Sequence, residues 1–197
     1  MRRPLLLLAV SVVVGILFGR AMSQIPIPRD ARVFWLGNLC APWLLLAFLA
    51  GVAQRGRVWG ALAGAATNVG CVLGFYAEFL DFSRSSLGLP DGTPMSSVVA
   101  ITVERQIVFM APWLAAAVGG GLVYGLLGWW WRTARPLAAA VALGLPFITE
   151  PALWPLQYGV YRGPWPVWAL EVAAGLALIA LMAIRRGRLR AGGTDSR

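Results

Sequence analysis

Glu150 stands in the stretch FITEPALWP (147–155), a carboxylate in an apolar run and directly before a proline. An acid at the centre of a bilayer costs about 2.5–3.5 kcal/mol on insertion scales, and such residues face protein or water rather than lipid. Pro146, Pro151 and Pro155 remove three amide donors from the same segment, and the carbonyls they free need partners. A proline-broken helix beside a carboxylate is the construction expected of a polar pocket open to the outside, where a solute, a cation or a proton could bind. The other use of the same residue is structural, as an ion pair with Arg20, Arg105 or Arg162. Glu78 and Glu171 fall at a similar outer depth in their own apolar segments. With Asn38 and Asn68 they complete the candidate pocket: Glu150, Glu78, Glu171, Asn38 and Asn68.

Other chemistries lack their parts. The chain has no histidine, so no Ser/His/Asp set and no HExxH helix can be built, and no phosphate-binding glycine loop is present. Zinc and haem lose their commonest ligand, and neither a metal nor a cofactor is expected. Cys40 and Cys71 both lie in apolar segments and read as small buried residues with free thiols. Thr67 and Asn68, at mid-depth, read as hydrogen-bonding partners between helices.

The elements that must hold these groups are apolar. Of 197 residues 59% are hydrophobic and 13% charged, with a mean hydropathy of +0.71, against roughly 25% charged in soluble domains. No water-soluble surface can be made from that ratio, so the bilayer is the expected solvent. Six segments, 4–22, 33–53, 58–80, 107–131, 136–156 and 165–184, approach the roughly 20 residues that cross about 30 Å of hydrocarbon. The first could instead be a signal peptide, with Arg2 and Arg3 ahead of it and Ala21-Met22-Ser23 as a cleavage site. Its apolar run from Pro4 to Gly19 exceeds the usual apolar region of such peptides, which favours a retained helix.

Arginine placement orients the chain, because lysine is absent and all 17 basic residues are arginine. With the N-terminus cytoplasmic, Arg2, Arg3, Arg55, Arg57, Arg132, Arg135, Arg185, Arg186, Arg188, Arg190 and Arg197 lie inside. Arg20, Arg29, Arg32, Arg84, Arg105 and Arg162 lie outside, eleven against six. Of the acids only Asp195 falls inside. The net charge of +9 therefore gathers toward anionic headgroups rather than along a stripe, and nucleic acid is not expected as a partner. Residues 1–186 read as one transmembrane domain and 187–197 as a polar cytoplasmic tail. The long outer connection, 81–106, opens with turn residues and ends in VVAITVERQ, apolar enough to lie on the membrane or to extend the fourth helix.

Small residues at Gly15 and Gly19, at Gly60, Gly64, Thr67, Asn68, Cys71 and Gly74, and at Gly121 and Gly125 permit close helix contact, within one bundle or between copies. APWL occurs at 41–44 and again at 111–114, an echo consistent with a duplicated helical hairpin. Trp129, Trp130 and Trp131 at the inner end of the fourth span, and Trp165 and Trp168 at the outer end of the sixth, read as interface anchors.

NLCAPWLLLAF (38–48), the small-residue third span, GWWWR (128–132) and the glutamate-bearing fifth span together resemble a family of small actinobacterial membrane proteins without an assigned function. The resemblance implies an integral membrane protein of six spans and supplies no activity. The size is also similar to the substrate-binding subunits of energy-coupling vitamin transporters, which meet their partner through an Ala-xxx-Ala face; Gly15 and Gly19 hold the nearest such spacing here. The expectation is an all-α polytopic protein of the bacterial plasma membrane: six transmembrane helices in one bundle, both ends cytoplasmic, in an accessory or bundle-forming role. A small-solute or ion transporter, or a substrate-binding subunit, with an outward-facing pocket is the alternative, and an intramembrane enzyme a third. The lipid bilayer is the expected partner, with a homo-oligomer or a membrane complex left open.

Overall fold

In lipid every backbone amide must be satisfied within its own segment, so apolar runs of this length can only be helical. The computed structural model describes residues 2–25, 39–83, 85–158 and 165–191, and among them there are helices and turns but no strand. The order is α1 (Arg2–Ser23), α2 (Cys40–Ala53), α3 (Arg57–Tyr76), a 3-10 turn (Ala77–Phe79), α4 (Met95–Ala134), α5 (Leu137–Tyr158) and α6 (Trp165–Ala191). Among the described residues Arg3–Ser23, Arg57–Tyr76, Met95–Ala134 and Pro166–Gly187 are long and apolar enough to cross a membrane; Cys40–Ala53 and Leu137–Leu153 are shorter apolar helices. Length and composition thus qualify four helices rather than six. Large apolar side chains stand outward on the spans, Leu6 and Leu17 of α1 each 64% exposed. A continuous apolar exterior of this kind suits acyl chains and not water.

Close backbone approach at glycine holds the helices together. A Cβ at Gly15 or Gly19 of α1 would lie 2.1 Å from the Thr67 carbonyl oxygen or 2.0 Å from that of Cys71, and one at Gly74 of α3 would lie 2.2 Å from the Ile16 oxygen. The α3–α4 contact is built the same way, with Gly64 against the Gly121 oxygen and Gly125 against the Gly60 oxygen. In α2, Gly51 meets the Gly125 oxygen, and Gly144 and Gly175 join α5 to α6. The small residues seen in the sequence are therefore contacts within the bundle. A second kind of contact is larger and apolar: Phe48, Ala139, Ala140, Leu143 and Met182 bury one another where α2, α5 and α6 meet.

One element differs from the sequence reading. The prolines do not break the fifth helix, because α5 runs through Pro146, Pro151 and Pro155. The end of the long outer connection joins α4, which starts at Met95 and has 40 residues, about 60 Å at 1.5 Å per residue. Thr102 Oγ1 donates to the Asp81 carbonyl (3.3 Å) and Gln106 Nε2 to that of Tyr76 (3.4 Å), which ties this extension to the end of α3. And α6 continues to Ala191, into the stretch expected as a polar tail. The inner turn after α4 is closed by Arg135 in the left-handed region (φ 48°), its amide bonded to the Trp131 carbonyl, and Pro136 follows.

Candidate functional site

The site grows from the first turn of α2, where amides have no carbonyl within their own helix. Pro42 removes one such donor by having no N–H. Glu150 of α5 takes two more: the Cys40 amide donates to Oε1 (2.7 Å) and the Ala41 amide to Oε2 (3.0 Å). At the other end of α2, Arg132 Nη1 donates to the carbonyls of Val52 (3.0 Å) and Ala53 (3.2 Å). A carboxylate thus stands at the positive end of the helix dipole and a guanidinium at the negative end, the favourable sense at both. Glu150 is only 7% exposed. Among the described residues its partner is a helix N-terminus, and neither Arg20 nor Arg105 pairs with it. Arg20 pairs instead with Glu78, and Arg162 lies outside the described residues.

Beside this cap lies a cavity of about 480 Å³, open on one side and lined by residues of α2, α3, α4 and α5. Its walls are chiefly rings, Trp43, Phe75, Tyr76, Trp113 and Tyr124, with Cys40, Asn68, Thr149 and Glu150 as the polar groups. Trp43 and Phe75 pack ring on ring, 5.8 Å between centroids. Among the described residues no arginine lines the cavity. The polar wall is partly self-satisfied. Pro146 has no amide to give the Ala142 carbonyl one turn below it, and the Tyr124 hydroxyl donates there instead (2.9 Å). Thr149 turns its hydroxyl back to the Leu145 carbonyl (3.0 Å). Asn68, 3% exposed, leaves Oδ1 buried with no donor among the described residues.

Glu171 of α6 is close enough to Glu150 for the two carboxyls to interact. It is 6% exposed, and both its oxygens are buried without an N–H or O–H donor among the described residues. Two carboxyls in contact form a hydrogen bond only when one of them carries a proton. Trp168, expected as an interface anchor, buries its Nε1 one turn earlier on the same helix, also without a described partner.

The structure therefore brings Glu150 and Asn68 to one cavity, with Glu171 adjoining Glu150 but not lining the wall. Glu78 does not belong to it: it sits in the 3-10 turn after α3, paired with Arg20 and accepting from Gln24 Nε2 (2.7 Å). Asn38 lies outside the described residues. Cys40, expected to be buried like Cys71, is exposed on the cavity wall; both are free thiols. Among the described residues no group of three acidic or sulfur ligands stands together to hold a metal ion. The aromatic wall was not foreseen, although a signal for it was present: Trp43 and Trp113 are the tryptophans of the two APWL copies and face the same cavity. Those copies are otherwise placed differently, Pro42 in the first turn of α2 and Pro112 deep inside α4.

No curated protein and no solved structure matches the chain. Residues 1–85, which carry α1 to α3 and the start of the outer connection but not Glu150 or Glu171, are similar to a family described as a family of unknown function (DUF6518).

Proposed function

We propose that the chain is a multi-pass protein of the bacterial plasma membrane, crossing six times with both ends cytoplasmic, and that it binds a small solute in the cavity beside Glu150. The cavity itself carries this reading. About 480 Å³ lined by aromatic and aliphatic side chains with a few convergent polar groups is the size and character of a small-ligand site. An accessory, bundle-forming role explains the glycine contacts but gives no use to this space or to the unpartnered Asn68 oxygen.

α2 is shorter than a full crossing, and its start is met by α5. Its 14 residues reach about 21 Å from the inner turn, and Glu150, 13 residues beyond Leu137, lies about 20 Å along α5. The two meet at one depth, where a helix start within hydrocarbon needs the donor-satisfying carboxylate it has. Helices that begin inside the membrane and meet an anionic group are a recurring construction at solute sites. The retained first span is supported by its glycine contacts with α3.

Cys40 provides the test. A membrane-impermeant thiol reagent added to intact cells is expected to modify Cys40 ahead of the buried Cys71, and Ala116→Phe, which narrows the cavity, is expected to slow that reaction about tenfold. Modification of Cys40 only after unfolding in detergent would remove the outward-facing cavity from consideration.

A further inference from the structure

From the chemistry of the walls we infer that the ligand is a small organic cation, an ammonium group on an apolar body, an assignment that rests on the solute-binding reading above. The described groups that lack partners around the site are nearly all acceptors. Asn68 Oδ1 on the wall and both oxygens of Glu171 near Glu150 have no donor. Glu150 uses one lone pair on each oxygen for the α2 amides and keeps the others. Two hydroxyls of the wall are spent on backbone carbonyls, Tyr124 on Ala142 and Thr149 on Leu145. An anion would meet the Glu150 carboxyl and, among the described lining residues, no arginine. An ammonium brings three N–H donors and one positive charge, and its apolar body meets rings whose faces attract cations.

Among the described residues Glu150 is the acid that both lines the cavity and ties it to the fold, since its oxygens also hold the first turn of α2. A ligand cation drawn to Glu150 therefore acts on the group that fixes α2 to α5. Binding and the order of these two helices are linked, and occupancy is expected to raise the stability of the bundle.

The experiment uses the full chain in lipid nanodiscs with three probes of one shape and different charge: benzylammonium, benzyl alcohol and benzoate. Thermal unfolding and the rate of Cys40 modification are both read. Benzylammonium is expected to raise the unfolding midpoint and to slow Cys40 modification, with the alcohol and the benzoate at least about tenfold weaker. Asn68→Leu is expected to leave the midpoint of the unliganded protein unchanged or higher, because it deletes an unpaired buried acceptor, while weakening benzylammonium about tenfold. Equal binding of benzyl alcohol or benzoate overturns the cation assignment and leaves a solute cavity. No effect of any probe, with Cys40 still reachable, overturns the assignment as well. An Asn68→Leu protein that loses stability but keeps its response to benzylammonium assigns Asn68 a structural role and overturns its part in binding. Cys40 unreachable in the native protein defeats the cavity itself.

Discussion

Glu150 holds the first turn of α2 through two charge-assisted hydrogen bonds. Such bonds contribute about 1.5–3 kcal/mol each where the alternative is a buried, unpaired amide. Glu150→Gln keeps one acceptor and loses the charge, so a loss of about 2 kcal/mol is expected in detergent or nanodisc unfolding; an unchanged midpoint would mean that the cap is dispensable. Glu171→Gln should act in the opposite direction. It offers Glu150 a permanent N–H donor where two carboxyls now interact, and a gain of about 1 kcal/mol is expected; a loss would place a needed charge on Glu171. Asp81 titrates outside the bundle. The Ser83 amide donates to its Oδ1 (2.8 Å), and this bond holds its pKa below the usual carboxylate value. The order that this turn gains is therefore fully present above the ordinary aspartate pKa and lost as pH falls through the lowered one, which an NMR titration of the Ser83 amide would follow. The sequence alone marked Glu150 as a residue that must find company, because a carboxylate next to Pro151 in an apolar run has few uses. It did not say with whom. The partner is a pair of backbone amides about 110 residues away, and backbone donors leave no trace in residue types.

α2, α3 and α4 depend on glycine in a way that separates two effects of the same substitution. In an open helical position Gly→Ala gains about 0.8–1.0 kcal/mol of helix propensity. Gly119 has nothing near its missing Cβ, so Gly119→Ala should stabilise or be neutral. At Gly64 the new carbon would lie 2.2 Å from the Gly121 carbonyl oxygen, and separation of α3 from α4 should cost about 1–3 kcal/mol, outweighing the propensity gain. Thermal unfolding of the two variants side by side checks the sign at each. The small-residue faces were legible in the sequence because close helix packing demands small side chains, and the contacts fall where the spacing put them. The continuity of α5 was not legible. Three prolines read as a break, yet the Ala142 carbonyl freed by Pro146 is taken up by the Tyr124 hydroxyl of α4, a partner visible only once the helices are side by side. Tyr124→Phe removes that donor, and a loss of about 1–2 kcal/mol is expected.

Across the whole molecule the arginines set the expected frame, with the 54–57 and 132–135 turns and the C-terminus on one side. Reporter fusions after Arg57 and at the C-terminus should read cytoplasmic and one after Asp91 external; a cytoplasmic reading after Asp91 would overturn the six-crossing arrangement. Composition made the all-α character plain, since in lipid the backbone has no other way to satisfy itself at this length. The shortness of α2 was hidden, because hydropathy marks where a helix could lie and not where its neighbours end it, whereas the reach of α4 was one of the two readings that VVAITVERQ allowed. The cap on α2 also has a consequence in time. The amides of Cys40 and Ala41 are finished by a residue that the ribosome adds about 110 residues later. Until α5 emerges, the nascent chain carries an open-ended helix, and the first half of the protein is incomplete by construction. In chains stalled before Glu150 the Cys40 and Ala41 amides should exchange freely with solvent, and in chains stalled after α5 they should be protected, so that the order of synthesis doubles as a checkpoint on assembly.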